Sequence, residues 1–516
     1  MAVKTFAAID VGSYEVSLKI FEVVRKKGMR EIDHVRYSID MGSETYANGK
    51  LGYERVDELC EILKEFAKIM NTYQVEAYKA YGTSAVREAE NTMILLDRIR
   101  LRTGISVEVL SNSEQRFLDY KSIAFKGGEF HKIIETGTAI VDIGGGSVQI
   151  SLFDNDTLVL TQNMKMGVLR LQDKIKHLST NPVQYQKLIG EIVDVQMNTF
   201  KRMYLKDRSI NHIIVVDDYI SEIIMKRTGT GEISGYVDGK SVKSLIEHFY
   251  STPAAALARK FDMAEEKIKP LYTSAILLVK IMESMNAENI WIPGVTLCDG
   301  IAYEYAEQNK IMKSEHDFEK DIIACAKNIS KRYQGSKKRS EMISHIALAI
   351  FDSMKKIHGL TRRERLLLHI AALLHDCGNF ISMGNLGECS YNIIAATEII
   401  GLSHEEREMV ASVVKYNYNA FDYYEGMPKQ AAADKKAYLT IAKLTAILRV
   451  AHGLDRSHKQ KCRQIKCVLR EDTLVITVTA ADDIILERGL FQHWADFFEE
   501  VYSIHPVLKR SMPEKV

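Results

Sequence analysis

Apolar and polar residues alternate on both sides of two short glycine turns. After Asp10-Val11-Gly12-Ser13 the apolar positions are Val16, Leu18, Ile20 and Phe21; after Asp142-Ile143-Gly144-Gly145-Gly146-Ser147 they are Val148, Ile150, Leu152 and Phe153. Period two around a turn of small residues predicts strand, tight turn, strand. The two stretches align without a gap, apolar positions included, so the pattern predicts a duplicated hairpin. From residue 1 to about 127 strands and helices alternate: a helix near Arg55–Tyr73, a strand at Ala77–Tyr81, a helix from Thr83 and a strand at Ser106–Leu110. Such alternation indicates an α/β domain. Gly127-Gly128 and the polar stretch to Thr138 read as a hinge. Beyond the second hairpin follow a helix over Pro182–Tyr204, a strand at His212–Val216, a Gly-rich loop between Thr228 and Gly239, and helices to about Gln308. From Lys310 the pattern turns helical with little strand signal until residue 465, and Lys466–Thr479 alternates again. The expected organisation is 1–127, 128–309, an all-α region 310–462, and a small α/β cap 463–516.

Composition narrows the function classes. With 46% hydrophobic and 27% charged residues among 516, the chain reads as a globular protein of several domains. Lys+Arg (69) nearly equals Asp+Glu (68), so no global field attracts nucleic acid or a membrane, and a polyanion needs a local basic patch. The start lacks the apolar core of a signal peptide and no apolar run reaches the length of a membrane span, which predicts a cytoplasmic protein. Seven cysteines, none spaced Cys-x-x-Cys, indicate neither a disulfide framework nor a structural zinc site.

Turns of this kind expose backbone N–H groups that bind phosphate oxygens, and one per half suggests a cleft closed over a phosphate chain. Three consecutive glycines leave room for a ligand against the backbone, and Asp142 is placed to hold a divalent cation or a water. For a single copy, Asp-x-Gly is as readily a plain hairpin turn; the pairing favours a site. Between the copies, Tyr81-Gly82-Thr83-Ser84-Ala85-Val86-Arg87 reads as a strand ending at a glycine, then a helix start with Thr or Ser as cap. There Arg87 can grip phosphate bidentately, its alternative being a solvated helix charge.

These segments resemble the exopolyphosphatase/guanosine pentaphosphate phosphohydrolase (Ppx/GppA) family. The stretches that carry the resemblance are Ala8–Ser13, Gly82–Ala89, Ser111-Asn112-Ser113-Glu114-Gln115, Val141–Ser147 and Gly294–Gly300, in family order over residues 6 to about 305. The resemblance implies a duplicated actin-like (ASKHA, ribonuclease H-like) two-domain α/β fold followed by an all-α HD-like domain and the small α/β cap. It also implies hydrolysis of a terminal phosphoanhydride, from inorganic polyphosphate or guanosine pentaphosphate, with Mg²⁺ present. The implied phosphate cradle is Asp10, Gly12, Ser13, Thr83, Ser84, Arg87, Gly144, Gly145, Gly146 and Ser147, with Asp10 and Asp142 on the metal and water.

The chain departs from the family at chemically informative places. Where the family carries two adjacent glutamates, the second acting as base, this chain reads Glu114-Gln115; where the second turn continues to a glutamate on the metal and water, it has Gln149. An amide orients a water but takes no proton from it, and loss of general-base catalysis typically costs a factor of about 10² to 10⁴. Glu114, Gln115, Asp142 and Gln149 are therefore the candidate catalytic set, Glu114 as replacement base. Val215-Val216-Asp217-Asp218 stands where many members have a Gly-Gly-Thr loop, placing bulk and negative charge against a phosphate chain, and Cys298 replaces a usual arginine.

The apolar helix Leu366–Leu374 ends in His375-Asp376 before Cys377-Gly378, the HD-type signature in which His and Asp bind a metal. From about 320 to 460 the chain resembles the HD-like domain of longer family members, degenerate because the earlier histidine position falls on Arg339 and the late Ala-Asp reads Ala451-His452. A hydrogen-bonded pair closing a helix is the favoured reading of His375-Asp376; a metal on His375, Asp376 and His452 is the other. The resemblance makes this region a lid or homodimerisation platform. The acid-free run Lys327, Lys331, Arg332, Lys337, Lys338, Arg339 reads first as a solvated face and second as a polyphosphate track. Two functions follow: a slow phosphatase on polyphosphate or guanosine pentaphosphate, or a catalytically silent sensor of the same ligands. ATP-dependent phosphotransfer is weaker, for lack of the Gly-Gly-Thr loop.

Overall fold

The computed structural model describes residues 3–25, 28–178, 181–217, 219–221, 223–224, 236–314, 316–424, 435–462 and 464–512. Two compact units divide the chain, Met1–Asp317 and Phe318–Val516.

The first unit holds two sheets built to one plan. Strands β1 (Val3–Val11), β2 (Glu15–Val24), β3 (Gly28–Ser38), β4 (Ala77–Gly82) and β5 (Glu108–Val109) form a sheet in the order β3-β2-β1-β4-β5. Strands β6 (Thr138–Ile143), β7 (Val148–Asp154), β8 (Thr157–Met164), β9 (His212–Asp217), β10 (Tyr236–Asp238) and β11 (Asn289–Trp291) form the second, in the order β10-β11-β9-β6-β7-β8. In each, the first three strands make an antiparallel meander and the fourth joins the first in parallel. The expected duplication is therefore repeated in register as well as sequence: Asp10 lies opposite Ser17 and Asp142 opposite Gln149. Gly12 N–H donates to Glu15 O and Gly144 N–H to Ser147 O, both at 3.0 Å, so each turn is closed by the same hydrogen bond.

Between the strands run helices α1 (Met41–Asn48), α2 (Tyr53–Thr72), α3 (Ser84–Glu88), α4 (Thr92–Thr103), α5 (Asn112–Ala124) and α6 (Gly128–Ile134). After β8 come α7 (Val168–Ile175), α8 (Pro182–Phe200), α9 (Gly239–Ser251), α10 (Ala254–Phe261), α11 (Ile268–Met285) and, last in the unit, α12 (Leu297–Gln308). The stretch expected to be a hinge is the helix α6, because Phe130, Ile133 and Ile134 sit at helical spacing and are buried. The strand expected over Ser106–Leu110 shortens to two residues that pair only with Tyr81 and Gly82. The helix from Thr83 lasts five residues, ended by the extended backbone of Ala89. Most of the Gly-rich loop between Thr228 and Gly239 lies outside the described residues.

The second unit is mostly helical: α13 (Phe318–Arg332), α14 (Lys337–Ser353), α15 (Arg362–Leu374), α16 (Leu386–Ala396), α17 (His404–Tyr418) and α18 (Lys435–Gly453). A three-stranded sheet follows in the order β12 (Gln464–Arg470), β13 (Thr473–Thr479), β14 (His505–Ser511), with α19 (Ile485–Tyr502) between its last two strands in sequence. No described helix is long and apolar enough to cross a membrane.

Helix α12 closes the first sheet from below. Its N-terminus is a capping box in which Thr296 and Asp299 exchange hydrogen bonds, and Asp299 also binds the buried Lys19 at 3.0 Å. Cys298 is buried against β1 and β2, with Sγ near Ser17 Oγ (3.4 Å) and Ala8 O (3.5 Å). That exchange of the family's arginine thus belongs to core packing. One turn on, a Cβ at Gly300 would overlap the Leu118 carbonyl of α5. Gly300→Ala is expected to force the two helices apart and destabilise the protein by roughly 1–3 kcal/mol, read as a lowered denaturant midpoint with an unchanged slope.

Candidate functional site

The two turns face each other within the first unit. Val168 N–H and Leu169 N–H, at the start of α7, donate to Gly144 O (3.0 Å) and Gly145 O (2.9 Å), while Gly42 N–H at the start of α1 donates to Ser13 O (2.8 Å). With these carbonyls engaged, the peptide planes at both tips are fixed. Gly145 packs against Ser13, and Gly146 against Tyr46 and Ser84, so closely that a side chain at either would collide. The room expected beside the three glycines is taken by side chains of the other half. Ser13 Oγ, Ser84 Oγ and Tyr46 Oη form a closed triangle of hydrogen bonds of 2.8, 2.6 and 2.8 Å.

Arg170, on α7, latches the closed arrangement. Its Nε donates to Gly146 O (2.8 Å), its Nη2 reaches Glu88 at 2.5 Å, and its guanidinium lies 4.3 Å from the centre of the Tyr46 ring. Across the same groove Tyr14 and Tyr219 bring their rings to 5.7 Å. Tyr46, Arg170, Glu88 and Tyr219 were not among the residues expected from sequence, because nothing local to them signals a partner in the other half.

Below the triangle lie the two aspartates at the ends of β1 and β6. Asp10 Oδ1 and Asp142 Oδ2 are buried without a hydrogen-bond partner. Burial pushes both carboxyls up to about 7; Glu15 and Asp142 add to the rise at Asp10, and Arg116 and Arg87 oppose it at Asp142. Two orphaned carboxylate oxygens fit a hard divalent cation, which takes oxygen ligands.

The remaining candidates are held by the protein itself. Thr83 Oγ1 donates to Val11 O at 3.4 Å. Arg87 spans Leu110 O (2.6 Å), Asn112 Oδ1 (2.6 Å) and Gln115 Oε1 (3.4 Å), which pins the loop before α5. Glu114 is held at the start of α5, where its Oε2 accepts the Ser111 N–H (3.0 Å) in a capping box. Gln149 accepts from Arg116 Nε at 2.8 Å, and Arg116 is buried. Sequence reading passed over Arg116, although a cation in this place bears directly on Asp142. Asp217 is turned into hydrogen bonds of its own, though its charge adds to the rise at Asp142. Its Oδ1 accepts N–H groups of Tyr219 (2.7 Å), Ile220 and Ser221 (3.2 Å), and its Oδ2 accepts Ser274 Oγ (2.5 Å). Asp218 lies outside the described residues.

In the second unit His375, Asp376 and His452 are all buried, but they are not among the groups whose ligand atoms converge to within 4.8 Å. His375 Nδ1 is 2.9 Å from Ala372 O, and its Nε2 lies 3.9 Å from Asp376. Arg339 takes up the ring nitrogen of His452: its Nη2 is 2.7 Å from His452 Nε2, and its Nε donates to Asp455 at 3.2 Å. Burial holds His375 down at about 4 and His452 well below the usual imidazole range, so both rings stay neutral beside the guanidinium. The basic run is thereby divided, since Arg339 is core while Lys327, Lys331, Lys337 and Lys338 are exposed.

Comparison with known proteins completes the picture. The model of the Ppx/GppA phosphatase family matches residues 20–309, and that of Ppx/GppA phosphatase domain III matches 323–494. A guanosine-5'-triphosphate,3'-diphosphate pyrophosphatase of Photobacterium profundum is 20% identical over 500 residues, 92% of each chain. Exopolyphosphatase 1 of Mycobacterium tuberculosis is 27% identical over 164 residues, 32% of this chain and 46% of its own. The crystal structure of an exopolyphosphatase from Cytophaga hutchinsonii superposes with a TM-score of 0.51 at 19% identity, over 60% of this chain and 100% of that one, and so shares the actin-like fold. Domain order, paired turns and family match agree: this chain belongs to the Ppx/GppA phosphatase family.

Proposed function

We propose that the groove between the two turns binds the terminal phosphates of inorganic polyphosphate or guanosine pentaphosphate and hydrolyses the last phosphoanhydride slowly. The observation that carries this reading is the pair of buried, unpartnered carboxylates, Asp10 Oδ1 and Asp142 Oδ2, beneath two identically closed glycine turns. Relatives named as a guanosine pentaphosphate-type pyrophosphatase and as an exopolyphosphatase support the substrate class.

In this reading Asp10 and Asp142 hold Mg²⁺, which when bound supplies charge neutralisation to the phosphoryl oxygens. Main-chain amides of the second turn take the anionic end of the chain, and Ser13 and Ser84 offer hydroxyl donors once Tyr46 swings aside. Gln115, held towards Arg87, and Gln149, held by Arg116, orient the attacking water without taking its proton. With Asp10 and Asp142 on the metal, proton removal falls to Glu114, whose Oε2 caps α5 and whose other carboxylate oxygen is left for the water.

A second reading, a sensor that binds the same ligands and does not turn them over, is favoured by one observation. The Arg116 guanidinium sits on Gln149 where a metal-binding carboxylate is usual, and supplies internally part of the charge that the metal would bring. Phosphate release from polyphosphate with Mg²⁺ separates the two. The parent is expected to turn over slowly, Asp142→Ala to abolish release, and the double variant Gln115→Glu/Gln149→Glu to raise kcat by about 10-fold or more. A parent with no release and a double variant with release would establish the sensor.

The raised carboxyls give a signed pH dependence. In the metal-free protein Asp10 and Asp142 lose their protons near pH 7, so Mg²⁺ affinity is expected to rise as pH rises through about 7. Stability runs the other way. Between the unfolded value of 3.8 and about 7 the folded protein keeps a proton on Asp10 that the unfolded chain has lost, so stability falls as pH rises across that window. Asp10→Asn is expected to raise the melting temperature by several degrees above pH ~7 and by little near pH ~4; equal shifts at both pH values would refute the assignment.

A further inference from the structure

Away from the groove, three side chains from separate parts of the first unit converge. His131 lies on α6, Asp156 in the turn between β7 and β8, and His316 in the segment after α12, two residues before the second unit begins at Phe318. One ligand atom from each lies within 4.8 Å of the others, and among the described residues no other group of three does so.

The turn that carries Asp156 is informative. Asn155 (φ 51°) and Asp156 (φ 54°) form the two-residue connection of the hairpin. A connection with both residues left-handed prefers glycine at its second position, and aspartate is tolerated there at a modest cost. Here it is anchored, because Asp156 N–H donates to Ile134 O at the end of α6 (3.0 Å), which sets the turn beside His131. The inner carboxylate oxygen of Asp156 has no hydrogen bond: Oδ1 is buried, 3.7 Å from His131 Nδ1. A group between the two nitrogens and this oxygen would give the carboxylate its missing contact.

The imidazoles are positioned for it. His316 Nε2 is 2.6 Å from Tyr120 Oη, the kind of outer contact that fixes the tautomer and ring angle of a metal-binding histidine. Its backbone is held by Ser314, whose Oγ accepts the His316 N–H (3.0 Å) and donates to the His316 carbonyl (2.8 Å). The His131 and His316 rings approach to 5.2 Å above Phe130.

We propose that His131, Asp156 and His316 form a binding site for a divalent transition metal, zinc by its ligand set. Two imidazoles and a carboxylate with one open position filled by water are a zinc-type tetrahedral set, and imidazole nitrogen disfavours Mg²⁺. The site is separate from the Asp10–Asp142 pocket. Bound metal would tie the last residues of the first unit to α6 and to the β7–β8 turn.

The test uses the full-length protein, stripped with chelator and held in excess Mg²⁺ so that oxygen-rich sites are occupied. Equilibrium dialysis with Zn²⁺, and the visible spectrum with Co²⁺ in its place, report stoichiometry and geometry. The wild type is expected to take up about one equivalent, to melt higher as Zn²⁺ is raised, and to give the intense visible bands of tetrahedral Co²⁺. Asp156→Gly is the decisive variant, since glycine suits the turn and the protein folds, while Zn²⁺ affinity is expected to fall by about 100-fold or more. His316→Gln should lose affinity comparably. No stoichiometric uptake by the wild type, or unchanged uptake by either variant, overturns the proposal.

Discussion

The first unit is organised around the desolvation of two carboxylates. Asp10 and Asp142 end equivalent strands of equivalent sheets, and β-register leaves each opposite a neutral residue, Ser17 in one half and Gln149 in the other. An unpaired buried carboxylate is held at a cost that a fold tolerates only where something else benefits. The turns, the short helix α3 with Arg87 and the loop before α5 are all arranged about these two groups. What compensates them is a proton and, at Asp142, the charges of Arg116 and Arg87.

The duplicated architecture was legible because its signals are local. Alternation around Gly12 and Gly144 is a period-two pattern interrupted by residues that only a tight turn wants, and a gapless second copy gives the topology of one half from the other. The signal failed where burial had to be judged from short segments: Gly127–Thr138 looks polar on average, yet Phe130, Ile133 and Ile134 make a buried stripe. Around the groove, the residues at the turns carry motif signals, but their partners do not. Tyr46 meets Ser84 across 38 residues, Arg170 meets Glu88 across 82 and Arg116 meets Gln149 across 33. Such pairs are set by tertiary packing, and a single sequence carries no trace of them. Glu114 shows the opposite case, since Ser111 three residues earlier already spelled the capping box that holds one of its carboxylate oxygens.

Arginine plays a common part in both units. Arg116 donates to Gln149 in the first, and Arg339 contacts Asp455 and His452 in the second; all five side chains are buried. In each case a permanently charged guanidinium stands beside acceptors of a kind that could otherwise serve a metal. Guanidinium is not deprotonated inside proteins, and it needs planar acceptors in fixed directions, so it fixes the geometry of its neighbours. The histidines of the second unit are consequently neutral and directional, which suits a structural core.

The Arg170 latch has a kinetic and thermodynamic meaning for anything that binds between the halves. Separating Gly146 from Tyr46 breaks the Arg170–Glu88 ion pair, its bond to the Gly146 carbonyl and its stacking on the phenol ring together, so the two halves part as one cooperative event. The intrinsic affinity of the open groove is then reduced by the fraction of molecules that are open at equilibrium. Because that fraction divides the affinity of every such ligand alike, the latch sets a common threshold without choosing among ligands.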